Sequence, residues 1–250
     1  MRISVVTAVL DRASVVAGCL RSVLEQSHPD VEHVIIDGGS RDGTLDVIRA
    51  NDSRVGRLIS EPDGGLYEAI NKGIAAATGD VVGILGADDV YAAPTTLARV
   101  VEAFEATGVE SCFGDLVYVG ADGRRVVRTW RSSPFRPGLF LRGWMPPHTT
   151  FFVRRDVYAK LGGYDPRLRI AADYELMLRY LERARVSSTY LPEVLVRMRV
   201  GGASNAPRNL LRKSAEDCLA LLKNGYLSAP LVVACKNLRK IPQLLPRWGA

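Results

Sequence analysis

Residues 81–90 read VVGILGADDV, and the fold turns on how that run is taken. Val, Ile and Leu in succession, bounded by turn residues, predict a strand buried on both faces, as in a parallel sheet covered by helices on each side. An ionised carboxylate inside such a strand would be costly unless paired, so Asp88 and Asp89 stand just past its end. One reading makes them turn and helix-capping residues, because TTLARVVEAFEATG follows with helical spacing. The other makes them ligands. The pair by itself leaves both open.

Upstream, the strand-like runs ISVVTAV, VEHVIID and RLIS alternate with the helical patterns SVVAGCLRSVLEQS, TLDVIRA and GLYEAINKGIAAATG. Such alternation predicts crossover units and a mainly parallel sheet over residues 1–107. Downstream the character changes. SCFGDLVYV and RRVVRTW flank Gly120-Ala121-Asp122-Gly123, a hairpin through its Asp-Gly turn. A Pro- and Gly-rich stretch, SSPFRPGLFLRGWMPPH, leads to the strand-like TTFFVRR, the helix DYELMLRYLERA and the strand-like VLVRMRV. Two further helices are predicted, NLLRKSAEDCLALLKNG and one around residues 231–240. No repeat or low-complexity linker interrupts the chain, so the expectation is one α/β body followed by a basic helical tail.

With 250 residues, 47% of them hydrophobic and 24% charged, the chain has the balance of a soluble globular protein with a sizeable core. Cys19, Cys112, Cys218 and Cys235 form no CxxC pair, which argues against a zinc site or disulfide framework and for thiols in a reducing cytoplasm. MRISVVTAV enters a strand directly, without the pattern of a signal peptide, and LSAPLVVACKNL is too short and too interrupted for a membrane span. The net charge of +6 is uneven. Residues 206–250 hold eight Lys or Arg against Glu216 and Asp217, so the rest of the chain is formally neutral.

In open parallel sheets ligands bind beyond the carboxyl ends of the strands. Polar residues gather at those ends repeatedly: Thr7 and Asp11, then Asp37-Gly38-Gly39-Ser40, then Glu61-Pro62-Asp63, then Asp88-Asp89. That repetition favours a binding site over four independent caps. GGSRDGT lacks the spacing of a P-loop, and no GxGxxG follows the first strand, which counts against an NTPase and a nicotinamide dehydrogenase. A nucleotide site this rich in carboxylates would repel a diphosphate unless Mg2+ or Mn2+ stood between them.

The same residues resemble the family 2 glycosyltransferases of the GT-A fold, nearest to bacterial enzymes that build O-antigens, exopolysaccharides and glycolipids. The resemblance runs through Thr7, DGGSRDGT, EPDGGLYEAINKG, ATGD, LGADD, PPHTTFFVRR, GGYDPRL, AADYELMLR and GGASN, about 205 residues in order. It implies a Rossmann-like α/β domain over residues 1–205, with a nucleotide-sugar half (1–107), an acceptor and catalytic half (108–205), and a basic helical extension (206–250). It further implies that Asp37 recognises the base, that Asp63 lines the nucleotide pocket, and that Asp88 contacts the ribose while Asp89 holds the metal. Thr7, Asp11, Asn71 and Ser204 fall with the donor site. Gly86 and Asp11 stand where many relatives have Asp and Asn.

Asp173 on its residues alone reads as a helix N-terminal carboxylate favoured by the helix dipole. The resemblance implies instead the general base of an inverting transfer, with Glu175 secondary. His148 could ligate metal, touch phosphate or acceptor, or be a surface histidine. Trp144 and Met145 could wall the acceptor site or pack in the core. The expected partners are a nucleotide-diphosphate sugar, a saccharide or lipid-linked acceptor, and an anionic membrane surface met by the tail of a cytoplasmic enzyme. Two other functions compete: a sugar-phosphate nucleotidyltransferase, whose Gly-rich segment beside the first strand is missing from TAVLDRAS, and a nucleic-acid-binding scaffold, for which the tail has few aromatics.

Overall fold

The computed structural model describes residues 1–51, 55–201 and 209–238. The first half forms crossover units: β1 (Ile3–Val9), α1 (Val16–Leu24), β2 (Val31–Asp37), α2 (Thr44–Ala50), β3 (Val55–Ser60), α3 (Leu66–Ala76) and β4 (Val81–Ile84). All four residues of β4 are buried, as a strand with helices on both faces requires. Alternation then sorts the side chains. Ile3, Val5, Val81 and Leu85 join one core with α1 and α4 (Thr96–Thr107), whereas Val6, Val82 and Ile84 join the core on the α3 side. Helix α3 lies so close to the sheet that a Cβ on Gly73 would come within 2.3 Å of Val6.

The rest of the sheet comes from β5 (Val90–Tyr91), β6 (Ser111–Val119), β7 (Val126–Trp130), β8 (Phe152–Arg154) and β9 (Ser188–Arg199). The strand order is β3-β2-β1-β4-β8-β6-β9-β5, with β7 paired to β6 as the expected hairpin. The β3-β2-β1-β4 pairings are parallel, but β8 runs antiparallel to both β4 and β6. The parallel character therefore belongs to the first half, and the second half is mixed. Chain order reverses across β1, between β2 on one side and β4 on the other, which creates the crevice where open α/β sheets bind ligands.

Helix α5 (Arg155–Leu161) precedes the GGYDPRL loop. The predicted helix from Asp173 is α-helical only over α6 (Ala172–Met177) and continues as a wider π-helical segment, Leu178–Arg183. There the Ala184 amide reaches Arg179 O at 2.9 Å. The tail forms α7 (Leu210–Lys223) and α8 (Ala229–Leu238). Ala220, Leu221, Ala229, Val232 and Val233 join the α3-side core, so the two helices pack on the body. Among the described residues no helix is long and apolar enough to cross a membrane.

Candidate active site

Three loops meet at the crevice. After β1, Asp11 takes a left-handed φ of 51°. Its amide donates to Ser40 Oγ (2.9 Å) and its carboxylate accepts from the Arg41 amide (2.8 Å), lacing this loop to DGGSRDGT. Asp37 is fully buried at the end of β2. It accepts from the amides of Gly39 and Ser40 and from Ser60 Oγ at 2.8 Å, and so shapes the turn between them. Half-buried Asp63 accepts from the Gly65 amide at 2.9 Å and stands beside Gly38.

Two residues assigned to the donor site have hydrogen-bond partners within the fold. Thr7 lies within β1, fully buried, its hydroxyl 3.0 Å from His33 Nε2. Asn71 clamps the GGYDPRL loop: its Nδ2 donates to Tyr164 O and its Oδ1 accepts from the Tyr164 amide, both at 2.8 Å. Ser204 lies outside the described residues.

Asp88 and Asp89 follow β4. Asp89 is only 2% exposed, and its Oδ1 accepts from the Arg199 amide at 3.2 Å. Burial first, then the adjacent Asp88, pushes its carboxyl up to about 8, against the pull of Arg199. A cation beside the pair would reverse that penalty. Gly86 makes room for the arrangement, since a Cβ there would lie 2.6 Å from Asp89 Oδ2. One or two carboxylates, completed by phosphate oxygens, is the ordinary way in which Mg2+ is held with a nucleotide. Asp88 and Asp89 thus fit Mg2+ or Mn2+. Among the described residues no third His, Cys, Asp or Glu completes a metal cluster with them.

Asp173 is the second residue of α6, its side chain 17% exposed. Its Oδ1 accepts from the Tyr174 amide at 2.8 Å, and its Oδ2 lies 3.5 Å from His148 Nδ1. His148 therefore keeps company with Asp173. Burial lowers its pKa, Asp173 opposes that shift, and Lys213 of α7 adds to it. The turn that carries His148 is fixed by Thr150, whose hydroxyl sits 2.9 Å from Gly114 O. Trp144 packs edge-on to Phe140 at 5.5 Å and lies 5.8 Å from both Phe113 and Phe135. Its buried Nε1 has no hydrogen-bond partner among the described residues. Met145 packs against the α3-side core.

Tyr118 of β6 is buried, its ring stacked on Trp130. Burial raises its phenol pKa, the Arg128 guanidinium over its ring opposes this, and Asp89 and Asp173 both raise it further. Tyr67, inside the EPDGGLYEAINKG motif, donates to Ile170 O at 2.9 Å just before α6. A cleft of about 670 Å³ lies on the far side of α6, lined by Asp165, Arg167, Glu175, Arg179 and Lys223 among others. Its Arg179 and Lys223 are spent on Glu175 and Asp165, and neither Asp88, Asp89 nor Asp173 lines it.

The sequence profile of glycosyl transferase family 2 matches residues 4–162, well over half of the chain. The chain is a family 2 glycosyltransferase. An uncharacterised glycosyltransferase of Mycobacterium tuberculosis is 36% identical to it over 182 residues, 71% of this chain and 68% of the relative. A PGL/p-HBAD biosynthesis glycosyltransferase of Mycobacterium bovis is 33% identical over 215 residues, 81% of this chain and 78% of the relative. The fold of this glycosyltransferase is GT-A, with its likeness in S. aureus TarS in complex with UDP-GlcNAc (TM-score 0.72, 17% identity, 97% of this chain and 73% of that one). The mannosyltransferase PcManGT of Pyrobaculum calidifontis, in complex with GDP-Man and Mn2+, has a TM-score of 0.64 at 20% identity, over 96% of this chain and 75% of that one. Glycosyl transfer, rather than nucleotidyl transfer, is the chemistry of the family.

Proposed function

We propose that this glycosyltransferase moves a sugar from a nucleotide-diphosphate donor to a hydroxyl of a saccharide or lipid-linked acceptor, with inversion, at the cytoplasmic membrane surface. The observation that carries the reading is the family 2 profile over residues 4–162, which spans the carboxylate-bearing loops after β1, β2, β3 and β4. Asp89 would hold Mg2+ or Mn2+, which when bound neutralises charge on the departing nucleoside diphosphate, and Asp88 beside it would contact the ribose. The loops carrying Asp11, Asp37 and Asp63 form the nucleotide wall, and Ser204 is assigned to the same donor site.

Asp173 Oδ2 takes the proton from the acceptor hydroxyl as its oxygen bonds to the anomeric carbon, while the bond from that carbon to the diphosphate breaks on the opposite face. His148, whose Nδ1 lies 3.5 Å from Asp173 Oδ2, orients that carboxylate. Trp144 and His148 border the acceptor. The donors in the TarS and PcManGT complexes support a nucleotide-sugar, and the relative named for PGL biosynthesis supports a glycolipid acceptor.

The test is a panel of UDP-, GDP- and dTDP-sugars with Mn2+, scored for release of nucleoside diphosphate and for the anomeric configuration of the product by NMR. Turnover should stop with chelator, and an α-linked donor should give a β-linked product. Asp173→Asn should lower kcat by about 10²- to 10⁴-fold with donor KM little changed. Pyrophosphate release, retention of configuration, or a loss below threefold in Asp173→Asn would each overturn the corresponding part.

A further inference from the structure

The short helix that presents Asp173 has an unusual start. Its N-cap is Ala171, which has no side chain able to accept from the backbone. The acceptor comes instead from α7, forty-odd residues along the chain. Glu216 Oε2 accepts from the Ile170 amide at 2.7 Å and from the Ala171 amide at 3.0 Å. Its other oxygen accepts from Arg212 Nε at 2.9 Å. Glu216 is buried, at 8% exposure. Burial works against its charge, yet the amides of Ile170, Ala171 and Arg169 together with Arg212 hold its carboxyl below the usual range.

On the other side of the same backbone, the Tyr67 hydroxyl holds Ile170 O at 2.9 Å, and the Tyr67 ring stacks on Tyr164 at 5.5 Å. The peptide two residues before Asp173 is thus gripped from two elements. The far end of α7 is tied down as well, with Asn224 Nδ2 donating to Glu175 Oε1 at 3.2 Å and Lys223 paired with Asp165. Few positions could govern the aim of a side chain on the first turn of α6 more directly.

We infer that Glu216 is a positioning residue for Asp173, so that α7 is a working part of the transfer site and not a detachable appendage. The inference rests on the reading of Asp173 as the base. A carboxylate two residues into a six-residue helix depends on where the first turn points, and a misplacement of about 1 Å at a reacting group costs on the order of 10²-fold in rate. Removing Glu216 leaves two amides without their acceptor and lets that turn rotate. The donor loops, which lie at the ends of β1, β2, β3 and β4, make none of these contacts.

The test is a double-mutant cycle on the full chain, with the most active donor of the panel above and Mn2+. Glu216→Gln keeps an acceptor oxygen and should lose about fivefold in kcat, whereas Glu216→Ala should lose about 10²-fold, with donor KM within about twofold in both. In an Asp173→Asn background, either substitution should cause no further loss, because Glu216 acts only through Asp173. Losses that multiply across the two sites, or a rise in donor KM in place of a fall in kcat, would overturn the positioning role. If Glu216→Ala fails to fold, Glu216→Gln with a melting temperature near that of the parent carries the cycle. Near-parental kcat in Asp173→Asn alone would instead remove the base assignment, and this inference with it.

Discussion

At the scale of single residues, the polar groups of the first βα units divide into those that face the crevice and those that serve the sheet. VVGILGADDV announces its terminal carboxylates because apolar runs and ionised groups do not mix. Thr7 illustrates the converse. A threonine near the end of a strand can point outward or inward, and here it points inward, onto His33. His33 is 2% exposed, and burial alone lowers its pKa from 6.5 to about 4. In the unfolded chain this imidazole binds its proton near pH 6.5, whereas in the folded chain it does so only near pH 4. Between those values the unfolded state carries more protons, so stability rises with pH; the contribution is complete above about pH 6.5 and is lost on acidification towards pH 4. The shift corresponds to on the order of 3 kcal/mol. Urea denaturation at pH 7.5 and pH 5 should therefore show a loss in the parent that is mostly absent in His33→Gln. Equal pH dependence in the two proteins would show that His33 is not held neutral.

At the scale of elements, regular patterns were readable and irregular ones were not. The crossover units, the Asp-Gly hairpin and both tail helices follow from spacing and turn chemistry. Helix DYELMLRYLERA departs from its pattern, because hydrophobic periodicity near 3.6 does not distinguish an α-helix from one that widens after Met177. Strand β8 hides its antiparallel direction for a similar reason: a three-residue buried run carries no sign of which way its neighbours lie. Asn71 marks the limit for the site. Its motif associates it with the donor, whereas its amide ties α3 to the loop before α6 through two bonds to Tyr164. Asn71→Ala should leave those backbone groups unpaired and cost about 1–3 kcal/mol of stability. Chemical denaturation measures this directly, and donor KM in the surviving enzyme should change little. A raised donor KM with unchanged stability would instead support the donor-site role of Asn71.

At the scale of the whole molecule, the tail holds the net charge, and two of its described charges are engaged in ion pairs. Arg212, its side chain 56% exposed, is paired with Glu216 on the same helix, and Lys223 with Asp165 of the body. The tail also displays leucine outward. Leu211 is 85% exposed, Leu227 87% and Leu231 68%, and Leu210, Leu219 and Leu222 are exposed beside them. Positions 211, 215, 219 and 222 fall on one face of α7, opposite the buried Glu216, Asp217, Ala220 and Leu221. Composition alone shows the basic tail; only the packing of α7 shows which face remains outside. With the lipid-linked acceptor proposed above, such a face suits insertion into the headgroup boundary of an anionic bilayer, with the Lys and Arg of residues 206–250 adding attraction. A half-inserted leucine contributes about 1 kcal/mol, comparable to a basic residue held near the surface. Salt should then weaken binding without abolishing it, since screening acts on the charges and not on the leucines. Because α7 braces the loop before α6, removing the tail would damage the site, and substitution on the outer face is the cleaner probe. Full-length protein should co-sediment with vesicles containing anionic lipid and keep part of that binding at 1 M salt. The variant Leu211→Ser, Leu219→Ser, Leu222→Ser, Leu227→Ser should lose the salt-resistant part while retaining its melting temperature and its turnover of a soluble acceptor. Unchanged sedimentation of that variant would leave the leucine face as a contact between protein molecules, a result that sedimentation velocity of the parent and the variant would then reveal as a difference in mass.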